Sequence, residues 1–125
     1  MPKETILVTS ALPYANGPIH FGHIAGAYLP ADVFVRYHRM LQDDIVYICG
    51  TDEYGVAVTI GAEKEGHTPK EHVDIYHEVI KGIFQKFNIS FDHFSRTTNK
   101  FHADLSRKFF TELNQNGHIE TKTVE

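Results

Sequence analysis

The stretch that decides the fold is residues 5–23, Thr5-Ile6-Leu7-Val8-Thr9-Ser10-Ala11-Leu12-Pro13-Tyr14-Ala15-Asn16-Gly17-Pro18-Ile19-His20-Phe21-Gly22-His23. Its first five residues are apolar and β-branched, the composition of a buried strand, parallel and central in its sheet. Pro13 and Asn16-Gly17-Pro18 supply turn chemistry, and a helical pattern begins at Phe21. Such a strand–turn–helix unit sets unpaired backbone N–H groups and the positive end of a helix dipole at the carboxyl end of a strand, a ready anion site. His20 and His23, three residues apart, share one face of that helix start. Each imidazole can donate a ring N–H to a phosphate oxygen, and Gly22 removes a side chain where a flat base or backbone must come close. An isolated His-x-x-His reads first as two solvated histidines, and as a metal site it lacks an evident third ligand. The strand–turn–helix setting favours a nucleoside triphosphate with its phosphates over the two rings.

Outward from this unit, a helical pattern runs from about Phe21 to Leu41, with a kink or broken start at Pro30 and an apolar face of Val33, Phe34, Tyr37, Met40 and Leu41. Ile45 to Cys49 is a second buried strand, ending in Gly50-Thr51-Asp52-Glu53-Tyr54-Gly55. A short helix over Val56–Lys64 closes at Gly66. Thr68, Pro69 and Glu71 form a capping box, and Val73, Tyr76, Ile80, Ile83, Phe84 and Phe87 make one face of the helix that follows. Ile89 to Arg96 reads as a short strand. Phe101, Leu105, Phe109 and Leu113 mark another helix, ended by a left-handed cap at Asn116-Gly117, and His118 to Val124 reads as the start of a further strand. The alternation predicts an α/β fold, a Rossmann-like parallel sheet with covering helices. Ligands of such sheets bind beyond the carboxyl ends of the strands. Asp52 lies there, at the end of a buried strand, where a charge needs a partner; it reads alternatively as an N-cap for the helix after Gly55.

With 125 residues the chain suits one domain. Its 42% hydrophobic and 22% charged residues exclude a disordered chain, and no apolar run approaches the ~20 residues of a membrane helix. Met1-Pro2-Lys3-Glu4 lacks a signal-peptide pattern, and the single cysteine, Cys49, fits a reducing, cytoplasmic setting. A net charge of −4 speaks against a broad nucleic-acid surface.

His20-Phe21-Gly22-His23 resembles the HIGH signature of class I aminoacyl-tRNA synthetases, with Phe where Ile is usual. Related nucleotidylyltransferases carry a similar signature, but with a Thr-x-x-His spacing, and here Gly17 holds the Thr position. The flanks are similar to the methionyl family: Ala11-Leu12-Pro13-Tyr14-Ala15-Asn16-Gly17, Ala31-Asp32-Val33-Phe34-Val35-Arg36-Tyr37, Gly50-Thr51-Asp52-Glu53-Tyr54-Gly55 and Phe87-Asn88-Ile89-Ser90-Phe91-Asp92. This resemblance implies an N-terminal half of the family's Rossmann-like catalytic domain, spanning residues 1–125, with ATP and Mg as substrate. It implies His20 and His23 as catalytic donors, Asn16, Gly17, His20, Gly22 and His23 at ATP, and Ala11, Leu12, Tyr14 and Asp52 at methionine, Asp52 on the α-ammonium. Glu53 and Tyr54 are given no role.

The family's Lys-Met-Ser-Lys-Ser-like loop, its zinc-binding cysteine clusters and the residues that close the methionine pocket are not in this stretch. The resemblance therefore implies a fragment that is inactive alone. It places any zinc in the remainder of the protein and none here, and it places the grip on tRNA(Met) mainly outside these residues. A non-catalytic tRNA-binding module fits the acidic charge poorly. Half of a doubly wound sheet leaves an open edge and an apolar face, so self-association is expected.

Overall fold

A computed structural model of the chain describes residues 4–123; Met1, Pro2 and Lys3 of the leader reading, and Val124 of the last strand expected, lie outside them. The described residues form β1 (Ile6–Thr9), α1 (Phe21–His23), a π-helical turn (Ile24–Tyr28), α2 (Leu29–Met40), β2 (Ile45–Thr51), α3 (Val56–Glu65), α4 (Pro69–Lys86), β3 (His93–Arg96) and α5 (Lys100–Gln115). The three strands form one sheet in the order β1-β2-β3. Both pairings are parallel, with Ile6 beside Ile45 and Ile48 beside His93. Parallel neighbours need a crossover; α1 to α2 connect β1 to β2, and α3 and α4 connect β2 to β3.

The central strand is β2, not β1. Ile45, Tyr47, Cys49, Gly50 and Thr51 are buried, whereas β1 alternates and leaves Leu7 62% exposed. β2 is paired on both sides and buries the face that carries Ile45, Tyr47 and Cys49, while Val46 and Ile48 on its other face are only partly buried; β1 is paired on one side only. The main core joins Ile24, Tyr28 and Val35 to Tyr47 and Cys49 of β2, to Ile80 and Phe84 of α4, and to Ile89. Each large buried side chain contributes roughly 1.5–3 kcal/mol. A smaller cluster of Ala15, Val58 and Val73 ties the segment after β1 to α3 and α4.

The helix after His20 is interrupted as Pro30 requires, but by a widened turn rather than a break. Proline at position 30 has no N–H for the carbonyl four residues back. The preceding turn expands instead, and the Leu29 N–H donates to the Ile24 carbonyl five residues back. The apolar stripe expected to face the core does not: Val33, Phe34, Tyr37, Met40 and Leu41 are all exposed, while Asp32 and Val35 are buried. The inward face is anchored by polar groups. Asp32 accepts from the Ser90 N–H and hydroxyl, both at 2.6 Å, and from Arg36 at 2.5 Å. Arg39 reaches the Ser90 hydroxyl and Asp92 at 2.8 Å. These contacts fix residues 88–92 as a loop, so the expected strand over Ile89–Arg96 shortens to His93–Arg96.

The capping box at Thr68 forms: Glu71 N–H donates to its hydroxyl, and its own N–H donates to the Glu71 carboxylate. Gly117 takes the left-handed conformation expected of it, and Gly66, where the helix was expected to close, is left-handed as well. On α4, Val73, Ile80 and Phe84 are buried as read, Phe87 is 45% exposed, and His72 and His77 are buried on the same face. Residues 118–123 form no strand. Helix α5 buries none of its residues, and Phe101, Phe109 and Phe110 are exposed. Among the described residues no helix is long and apolar enough to cross a membrane.

Candidate functional site

The segment after β1 is held by backbone and buried polar side chains. The Tyr28 hydroxyl donates to the Ala11 carbonyl at 2.9 Å, and the Ser10 and Tyr47 hydroxyls meet at 2.7 Å. Further along, Tyr14 bridges Asp52: the Asp52 N–H donates to the Pro13 carbonyl at 2.9 Å, and the Ala15 N–H donates to the Asp52 carbonyl at 2.8 Å. Parallel pairing of β1 with β2 thus resumes beyond β1 and brings Tyr14 beside Asp52, at the carboxyl end of the sheet where ligands bind in this architecture.

His20 and His23 occupy the start of α1. The His20 Nδ1 accepts the Gly22 N–H at 3.1 Å, and the His23 Nδ1 accepts the His20 N–H at 3.2 Å. The two residues cap the helix reciprocally, as Ser and Glu do in a capping box. In the neutral rings both Nδ1 atoms are therefore acceptors and both protons sit on Nε2. Neither Nε2 bonds to a described residue. The rings stack with centroids 3.8 Å apart, so two ring N–H donors stand side by side. Gly22 serves this geometry directly. A Cβ there would lie 3.0 Å from His20 Cε1 and 3.1 Å from Nδ1, so glycine keeps the space in which the His20 ring sits, rather than only the approach of a ligand.

Asp52 is half-buried, and its carboxylate accepts a single bond among the described residues, from the Tyr54 N–H at 3.3 Å. The N-cap alternative does not hold. Helix α3 starts from Gly55 with no side-chain cap, because the Asp52 carboxylate folds over its own turn. Most of its acceptor capacity is free. Leu12 and Tyr14 are 48% and 58% exposed and Ala11 is exposed, so these apolar groups line an open wall. A cleft of about 250 Å³ is lined by Pro13, Tyr14, Asn16, Gly17, Pro18, Ile19 and His23. A larger one, about 320 Å³, includes Thr9, Leu12, Cys49, Ser95 and Phe101. It lies between the strand ends and α5, and contains neither histidine of the pair.

The sequence left Glu53 without a role and did not single out Thr51, His72 or His77. Glu53 is buried and accepts from Thr51 at 2.8 Å, from Arg96 at 2.8 Å and from Thr98. Arg96 also reaches Asp74 at 2.7 Å. Because Thr51 spends its proton on Glu53, it accepts at 2.7 Å from the His77 Nδ1–H. Burial, and then the Arg96 charge, hold the His77 imidazole below its ordinary range. This network clamps β2, β3 and α4 just behind Asp52, a positioning role. Tyr54 is exposed. His72, fully buried, meets the Asn16 Oδ1 at 2.9 Å. Asn16 is thereby fixed in the turn before His20. The signal for His72 and His77 was their place among the apolar positions of α4.

The family model described as tRNA synthetases class I (M) matches residues 6–125. Methionine–tRNA ligases are similar over almost the whole chain. That of Protochlamydia amoebophila is 56% identical over 98% of this chain and 18% of its own length. That of Chlamydia abortus is 59% identical over 98% and 22%, and that of Rubrobacter xylanophilus 56% over 94% and 20%. The chain thus spans about a fifth of the length of the curated relatives it matches. Among solved structures, Mycobacterium tuberculosis methionyl-tRNA synthetase bound by methionyl-adenylate superposes with a TM-score of 0.84, at 30% identity, over 91% of this chain and 22% of that one.

Proposed function

From the premise that this chain belongs to the class I (M) family of tRNA synthetases, we propose that it is the N-terminal part of the catalytic domain of a methionine–tRNA ligase. In this reading it contributes the ATP-phosphate donors and one wall of the methionine pocket. The observation that carries the reading is the pair of stacked imidazoles, each with its Nδ1 engaged in capping and its Nε2–H free.

The methionine carboxylate attacks the α-phosphorus of ATP, the bond to the bridging oxygen breaks, and pyrophosphate leaves with Mg. The adenylate then passes its acyl group to a hydroxyl of the 3′-terminal adenosine of tRNA(Met), releasing AMP. Little acid–base chemistry is needed at the first step; its barrier falls through positioning and through donors aimed where charge develops on the phosphates. His20 and His23 fill that role as Nε2–H donors, fixed in tautomer before substrate arrives. Gly22 keeps their space, and Asn16 and Gly17 form the turn beside the nucleotide. The free Asp52 carboxylate takes the α-ammonium of methionine. Ala11, Leu12 and Tyr14 present apolar and aromatic surface to the thioether, which such contacts hold well. The parts of the relatives beyond the matched fifth of their length would close this open wall and engage most of the tRNA. A protein of this kind works in the cytoplasm, where its substrates are.

The test is ATP–pyrophosphate exchange by the longer protein containing this chain, with each of the twenty amino acids, beside the 125-residue chain alone. Exchange with methionine only is expected, with the short chain silent. His20→Ala should cost on the order of 10²–10³ in rate, and Asp52→Ala should raise the methionine KM by about 10- to 150-fold, the loss of a charge-assisted hydrogen bond. Exchange with no amino acid, or methionine affinity unchanged in Asp52→Ala, would overturn the assignment.

A further inference from the structure

A second constellation lies at the junction of α3 and α4, in the part of the sequence expected to hold no metal. We propose that Glu65, His67 and His72 form a binding site for a divalent transition metal of the zinc class. The Glu65 Oε2 lies 3.4 Å from the His72 Nδ1 and 3.6 Å from the His67 Nδ1, and the three ligand atoms all fall within 4.8 Å of one another. Tetrahedral bonds of 2.0–2.1 Å set neighbouring ligand atoms about 3.3 Å apart, so two edges of the coordination figure are nearly in place. The third needs a modest turn of the His67 ring, which is partly exposed between two helices.

Two buried nitrogens have no other use. The Nδ1 atoms of His67 and His72 are both buried without a hydrogen-bond partner, and the His72 side chain is fully buried. A buried ring nitrogen left without a partner, as on the fully buried His72, is uncommon and calls for an explanation, of which a bound ion is one. The outer partners give each group the orientation a metal needs. Asn16 Oδ1, acceptor-only, takes the proton of the His72 Nε2 at 2.9 Å, so the lone pair of the neutral ring is on Nδ1. The Tyr76 hydroxyl donates to the Glu65 Oε1 at 2.8 Å and leaves Oε2 facing the two imidazoles. Gly61 permits the first of these contacts, since a Cβ there would fall 2.1 Å from the Asn16 Oδ1. Two imidazoles and a carboxylate suit zinc, with cobalt as its spectroscopic substitute. The exposed side of Glu65 admits a water as fourth ligand. The ion would clip the end of α3 to α4 and, through His72, hold the Asn16 turn.

The experiment is a titration of the 125-residue chain with Co²⁺, read by its visible d–d absorption and displaced by Zn²⁺. One equivalent with the intense bands of tetrahedral cobalt is expected. His67→Ala and Glu65→Gln, both at partly exposed side chains, should each weaken binding tenfold or more while the far-ultraviolet circular dichroism stays that of the parent. Tyr76→Phe should weaken it about 10- to 100-fold, the range for loss of an outer partner. Only weak octahedral bands, an affinity unchanged in His67→Ala or Glu65→Gln, or bands lost instead in a His20→Ala, His23→Ala variant would overturn the proposal.

Discussion

Replacing Gly22 by alanine separates the two roles a helix-start glycine can play. The added methyl would sit 3.0 Å from His20 Cε1 and 3.1 Å from Nδ1, tighter than ordinary carbon contacts of about 3.5–4.0 Å. The His20 ring has to swing away, losing the 3.1 Å bond from the Gly22 N–H and its 3.8 Å stack on His23. Helix propensity pushes the other way: alanine is better than glycine in a helix by up to about 1 kcal/mol, which roughly offsets the lost capping bond. Gly22→Ala should therefore leave the melting temperature nearly unchanged. Methionine-dependent ATP–pyrophosphate exchange by the longer protein should fall on the order of 10²-fold, the effect of misplacing one charge-stabilising donor. Exchange within twofold of the parent, with a normal melt, would refute both the steric reasoning and the donor role of His20.

Asp32→Ala removes a buried carboxylate that satisfies Ser90 and Arg36, and should destabilise by roughly 2–4 kcal/mol in urea unfolding at pH 7. Burial alone would raise the Asp32 pKa, but the bonds from Ser90 and Arg36 outweigh it and hold it below the usual range. Its contribution is then fully present above the unfolded pKa and is lost as pH falls through the folded one, so the penalty of the substitution must shrink on acidification below about pH 4; a penalty that grows would contradict this. Cys49 is buried, and burial pushes its thiol up to about 11. At pH 8 only about one thiol in a thousand is ionised, so iodoacetamide should modify the folded chain far more slowly than glutathione, and labelling at an equal rate by mass spectrometry would refute the packing around β2. The open edge of β1 and the exposed aromatic residues of α5 should drive concentration-dependent dimers of the 125-residue chain, and a stable monomer in light scattering at high concentration would count against it.

Local chemistry was legible wherever it was decided locally. Thr68, Pro69 and Glu71 specify a helix start that forms as written, and the glycines at 66 and 117 stop their helices for the expected reason. The turn after β1 and the placing of His20 and His23 together at a helix start followed from spacing; that their Nδ1 atoms cap that helix reciprocally did not. Partnership in space was not legible. An apolar run such as residues 5–9 reads alike whether its strand has one neighbour or two, and β1 has one. The stripe of Val33, Phe34 and Tyr37 looked like a core face because apolar residues recur there; the inward face instead carries Val35 in the core and Asp32 and Arg39, which bond to partners more than 50 residues away. The alternative reading of Asp52 as a cap followed from its place before a helix, yet its carboxylate accepts from the Tyr54 N–H and no side chain caps α3. His72 was invisible for the same reason: its meaning depends on Asn16, in another part of the chain.

The order of the strands bears on how this chain is made. A ribosome releases β1 first, then β2, then β3, and in the sheet each strand lies against the one released just before it. No described strand has to wait for a later neighbour to be inserted between it and an earlier one. Parallel pairing is slow because the crossover must close first, but elongation at about 5–20 residues per second gives each crossover seconds to form before the next strand emerges. Growth by single additions at one edge keeps the interval in which a bare strand can find a foreign partner short; among the described strands it leaves the outer edges of β1 and β3 unpaired, that of β1 for the longer time.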